Sequence, residues 1–208
     1  MKKTKTKAAA IFLADVRRSL TKQNLPVLLK CLRQLSQEDI WWRPNAASNS
    51  AGNLVLHLCG NVRQWIISGL GGAEFSRDRD REFAEQGPIP RQALIRQLRL
   101  TVDEACRVLA RLSDDALLKK HTIQGYHVTG LEAASHVAEH FSYHTGQIIY
   151  ITKLKGARDL KLTRLPAVKA PANIGCEKNR FLSSRAERGI SPRFTSIKSK
   201  RDSSLRSE

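Results

Sequence analysis

The chain has 208 residues and a net charge of +17, enough length for one domain with a real core plus extensions. The charge sits at the ends: residues 1–8 contribute +4 and residues 167–208 contribute +6, which leaves +7 for residues 9–166. Basic ends attract phosphates, yet no nucleic-acid module and no interleaving of aromatics with Lys/Arg accompanies them, so nucleic acid is not expected as the main partner.

The opening residues 1–14 imitate a short signal peptide, but Asp15, Arg17 and Arg18 follow at once. They read instead as a basic overhang, residues 1–8, running into a first helix from about residue 8 to 35. Its apolar side is Ile11, Leu13, Val16, Leu20, Leu25, Val27, Leu28, Cys31 and Leu35, and Pro26 should kink or divide it. Ser36 to Asp39 forms a capped turn, and the polar loop 45–50 ends in residues that cap a second helix, 51–70. That helix turns Leu54, His57, Leu58, Asn61, Val62, Trp65 and Ile66 inward, and Gly69, Gly71 and Gly72 stop it. The run Arg77-Asp-Arg-Asp-Arg-Glu-Phe83 reads as a solvated loop with internal ion pairs.

Pro88 and Pro90 open a third helix, 91–112, with Leu94, Ile95, Leu98, Val102, Ala105, Cys106 and Leu109 inward. The connection 113–128 is left as a short turn or ribbon. Thr129-Gly-Leu-Glu132 is a capping-box signature for a fourth helix, which Gly156 ends. Four helices without alternating strands argue for an all-α four-helix bundle over residues 9–162. Residues 163–208, rich in Ser, Arg and Lys, read as a disordered basic tail, with a frame extended past its original stop as one origin. No apolar run approaches the ~20 residues of a membrane span, so no membrane partner is expected.

Three of the six histidines recur at four-residue spacing: His136, His140 and His144. On a helix, positions 140 and 144 stack on one face, so their imidazoles can converge on one ion. Successive steps drift by about 40°, which carries His136 into an outer or packing role. A third ligand must come from elsewhere, and His57, mid-helix where a core residue is expected, is the candidate; a hydrogen-bonded core histidine is the alternative. Asn61, with Asn53, and Tyr143 and Gln147 are candidates to orient a ligand or substrate. His121 and His127 read as solvated. Cys59 is discounted as a ligand because it faces away from His57. Cys31, Cys59, Cys106 and Cys176 show no C-x-x-C pair, which fits a reduced, cytoplasmic protein. Three protein nitrogens leave coordination positions open, the catalytic arrangement, in which a divalent ion activates water or a thiol.

Three ordered blocks carry a family resemblance: Asn49-Ser-Ala-Gly-Asn-Leu-Val-Leu-His57-Leu-Cys-Gly-Asn61, the run Arg77 to Phe83, and His140-Phe-Ser-Tyr-His144-Thr-Gly-Gln147. With the trailing Tyr150-Ile-Thr-Lys153, the chain resembles the DinB-like (DinB/YfiT-like) superfamily over about residues 9–162, in its uncharacterised small-protein branch. The resemblance implies an up-down-down-up bundle, often a homodimer, with His57, His140 and His144 binding zinc, nickel or a similar divalent ion. It also implies thiol S-transferase-like or isomerase chemistry on a small thiol such as bacillithiol, mycothiol or glutathione; the open coordination positions leave hydrolysis through activated water as the other route. Such thiols are anionic, which makes Arg77, Arg79 and Arg81 candidate substrate contacts. A metal-binding, stress-associated dimeric bundle without turnover is the competing expectation. Domains of this family end soon after the fourth helix, so the tail gains no support from the resemblance.

Overall fold

The computed structural model describes residues 6–156 and 160–162. The expected tail, 163–208, and most of the overhang lie outside the described residues.

The first long helix is built from α1 (Lys7–Arg18), a π-helical segment (Ser19–Asn24) and α2 (Leu25–Gln34). Pro26 accounts for the division, because it has no N–H to give to the turn before it. The wider turn lets the Asn24 side chain donate to the Ser19 carbonyl at 2.9 Å. Ile11 departs from the expected apolar side and is 61 % exposed. Two residues is about 200° of helix, so Ile11 cannot share the face that buries Leu13, Val16 and Leu20.

After α3 (Gln37–Trp41), the second long helix runs as α4 (Ala51–Val62) and a π segment (Arg63–Ser68). Ser50 caps α4: its hydroxyl accepts from the Asn53 N–H at 3.1 Å, while Asn53 Oδ1 accepts from the Ser50 N–H at 3.2 Å. Both residues are fully buried, so this reciprocal pair satisfies polar groups that have no access to water. The charged run is not a solvated loop. It forms α5 (Arg79–Ala84), with Asp78 accepting from the Arg81 N–H at 2.9 Å, and it turns Arg77 and Glu82 inward.

The third long helix is α6 (Arg91–Arg111). The undecided connection resolves into α7 (Asp114–Leu118) and an antiparallel ribbon, β1 (Lys120–Ile123) with β2 (Tyr126–Thr129), turned by Gln124 and Gly125 at φ 52° and 82°. The fourth helix, α8 (Gly130–Gly156), begins at the expected Thr129–Glu132 capping box. α8 packs on α2 and α4, while α4 also packs on α6. The core between them includes Leu58, Ile66, Leu98, Val137, Phe141 and Ile148. The architecture is the all-α, up-down-down-up bundle. Among the described residues no helix is long and apolar enough to cross a membrane.

Replacing Ser50 by alanine removes the α4 cap inside the core. The expected outcome is a loss of about 1–2 kcal/mol in urea unfolding; an unchanged midpoint would contradict a structural role for the cap.

Candidate metal centre

His57 enters the bundle from α4, and His140 and His144 enter from successive turns of α8. The Nε2 atoms of His57 and His144 lie 3.1 Å and 3.2 Å from His140 Nε2. One nitrogen from each ring falls within 4.8 Å of the other two. Nitrogens bound tetrahedrally at about 2.0–2.1 Å from one ion lie about 3.3 Å from each other, so the observed spacing suits a common ion.

Protons decide whether these nitrogens can serve as ligands. His144 Nδ1 sits 2.7 Å from Gln147 Oε1, an acceptor, so Nδ1 carries the hydrogen. His57 Nδ1 is 3.0 Å from Glu82 Oε2 and 3.0 Å from Arg77 Nη2. The carboxylate only accepts, and an unprotonated Nδ1 would set two lone pairs against each other there. Nδ1 therefore donates to Glu82, and Arg77 satisfies its own N–H groups on Glu82 and on the His57 carbonyl. Both rings thus present bare Nε2 lone pairs to His140.

Protonation of the two α8 rings is disfavoured. Burial first, then the His144, His57 and His136 imidazoles and Arg77, push the His140 conjugate acid down to about 3. Burial likewise lowers His144, against the opposing effect of Gln147. His140 Nδ1 is buried without a partner. The donor set is three imidazoles turned toward one point, which is the chemistry of a divalent-metal site.

The other expected residues distribute around this point. Asn61, 3 % exposed, has Nδ2 3.3 Å from His136 Nε2. His136 packs on Trp65, ring centroids 4.1 Å apart and planes tilted by 35°, which holds it outside the trio. Gln147 orients His144. Tyr143 is 66 % exposed and sets its ring against the edge of His144, centroids 5.1 Å apart. Asn53 reaches away from the centre and donates to the Glu82 and Glu85 carbonyls at 2.9 Å and 2.7 Å. His121 and His127 stand on the ribbon, with His121 donating to the Ala116 carbonyl and His127 beside Thr122. Cys59 is buried toward Thr101, and burial pushes its thiol up to about 12, so it offers no thiolate.

The three arginines part company. Arg77 is buried, its side chain 3 % exposed, and its charge is spent on a two-point pair with Glu82, 2.8 Å at each contact. Arg81 is exposed and lines a different cavity, beside Arg63 and Gln97. Arg79 alone combines exposure with the cavity that reaches the histidines. Its guanidinium lies 5.0 Å above the Phe83 ring, and it makes no ion pair among the described residues. That cavity, about 860 Å³, is lined by His57, His140, Asn61, Trp65 and Arg79, with Tyr126 of the ribbon on its exposed side.

Glu82 and Phe83 are the functional neighbours that sequence reasoning missed. Phe83 packs on the His57 ring at 4.6 Å. Hydrogen bonds from Arg77 and His57 outweigh the burial that would raise the Glu82 carboxyl, and together they hold it below the usual carboxylate range.

Residues 7–169 match the family described as "Protein of unknown function (DUF1572)". No curated protein matches the chain. Among solved structures, the crystal structure of a DinB-like protein from Bacillus cereus ATCC 10987 is similar, with a TM-score of 0.50 and 16 % identity over 64 % of this chain and 87 % of that one. At that identity the likeness establishes the shared bundle fold.

Purified protein is expected to carry roughly one divalent ion per chain by elemental analysis. His57→Ala and His144→Ala should each weaken binding more than about 100-fold, beyond what loss of an outer partner causes. Equal metal content in parent and variants would remove the site.

Proposed function

The chain belongs to the DUF1572 family, a DinB-like family of proteins of unknown function, and we propose that it is a divalent-metal enzyme that activates a small thiol, in the manner of a thiol S-transferase. The observation that carries this reading is the convergence of one ring nitrogen each from His57, His140 and His144, with His57 and His140 lining an 860 Å³ cavity. Three protein ligands leave room for a fourth group, and the cavity gives a small molecule a way to reach it. When bound, a zinc or nickel ion there supplies a Lewis acid that makes a thiol, or a water molecule, nucleophilic at neutral pH.

The chain's own residues would divide the remaining work. His57, His140 and His144 hold the ion, and Gln147 and Glu82 keep two of those rings in register. Arg79 offers the carboxylate of an anionic thiol a cation that makes no ion pair among the described residues. Trp65, Tyr126 and Val128 give the cavity apolar walls that limit water around the reacting sulfur. The cysteines described are inward-turned thiols raised by burial, so the nucleophile would come from a second molecule.

The test is a matrix of low-molecular-weight thiols against electrophiles with metal-loaded and chelator-stripped protein. Turnover is expected with an anionic thiol, lost on stripping and restored by zinc or nickel. Arg79→Ala should reduce kcat/KM for the anionic thiol about tenfold, the loss of one hydrogen bond to a charged group, with little change for an uncharged thiol. Tight metal binding without turnover for any pair would instead mark a metal-binding bundle with no catalytic role.

A further inference from the structure

The charged run Arg77 to Phe83 has a role that neither its composition nor substrate binding explains. Two of its side chains, Arg77 and Glu82, reach the back of His57 rather than solvent. Glu82 Oε2 accepts from His57 Nδ1 at 3.0 Å, and both Glu82 oxygens accept from Arg77 at 2.8 Å. The Glu82 side chain is only 12 % exposed. Arg77 Nη1 reaches on to Gln64 Oε1 at 3.1 Å, which ties the pair to the second long helix. The other end of α5 is tied by Asn53 and by Arg43, whose Nη2 donates to the Phe83 carbonyl at 2.7 Å and to Asn53 Oδ1 at 3.0 Å. The helix opposite has made room for this contact. A Cβ on Gly60 would collide with Glu82 Oε1 and come within 2.8 Å of Arg77 Nε.

We infer that residues 77–83 are a strap whose Glu82 carboxylate is the positioning residue of the metal centre, fixing the proton on His57 Nδ1 and strengthening His57 Nε2 as a ligand. An anion on the far nitrogen of a metal-bound imidazole makes the ring more basic and holds its plane. Arg77 compensates that anion through two contacts of 2.8 Å, which offsets the cost of burying the carboxylate. Gly60 is required because only a residue without a side chain lets the strap approach α4. The inference rests on His57 being a ligand, and it adds that a residue touching neither ion nor substrate sets the affinity.

The experiment compares zinc affinity, by chelator competition, and the visible spectrum of the cobalt-substituted protein. The proteins are the parent, Glu82→Gln, the double variant Arg77→Met/Glu82→Gln, and Gly60→Ala. The double variant removes both buried charges together, so its fold does not depend on an unpaired one. Gly60→Ala keeps every charge and favours the helix by propensity. Each variant should keep its metal stoichiometry and its apo far-UV spectrum, bind zinc about 10–100-fold more weakly, and shift the cobalt bands. Parent-like affinity and spectrum in all three would overturn the strap while leaving the three-histidine site standing. A parent that binds no metal would overturn both.

Discussion

Two hydrogens, one on His57 Nδ1 and one on His144 Nδ1, govern everything that happens at the centre of this bundle. Each is committed to an acceptor, Glu82 on one side and Gln147 on the other. Commitment of Nδ1 strips Nε2 of its hydrogen, and the bundle then points both stripped nitrogens at His140 across 3.1 Å and 3.2 Å. Such a cluster of lone pairs is a local conflict, and protonation of His140 and His144, the usual relief, is suppressed by burial. A positive ion resolves the conflict. Phe83, its ring centroid 4.6 Å from that of His57, packs against the cluster and opposes its relaxation by rotation.

The fold supplies this geometry with few special devices. Four-residue spacing on α8 sets two rings one above the other, and antiparallel packing against α4 brings the third from the opposite side. The capped, buried start of α4 fixes the height of His57, because Ser50 and Asn53 cannot slide without exposing polar atoms to the core. The π segment after α4 turns Trp65 toward His136 and the ribbon, where its indole N–H donates to Gln124 Oε1 at 3.1 Å. One irregular turn therefore links the second helix to the outer wall of the cavity.

Much of this is written in the local pattern. The apolar stripes of the third and fourth helices and the Thr129–Glu132 box depend on neighbours within one or two turns, so they are legible. The same holds for the histidine pair on α8. His57 is legible by exception, as a polar residue where a core side chain belongs. The strap is not, because Arg77 and Glu82 read as ordinary solvated charges until α4 is laid against them. Its faint sequence signal is Gly60, a helix-breaking residue left in the middle of a buried helix. Pro26 announces the first π segment, but nothing comparable marks Arg63–Ser68. The ribbon turn uses Gln124 at positive φ where asparagine would be the familiar residue, which hides the hairpin from a reading of turn chemistry.

X-ray absorption at the zinc edge of the metal-loaded protein tests the central claim most directly. Three neutral ring nitrogens at the ion predict a first shell of nitrogen and oxygen at about 2.0–2.1 Å, with the outer scattering pattern of about three imidazoles. A sulfur shell at about 2.3 Å from the protein alone, or a spectrum with fewer than two imidazoles, would contradict it.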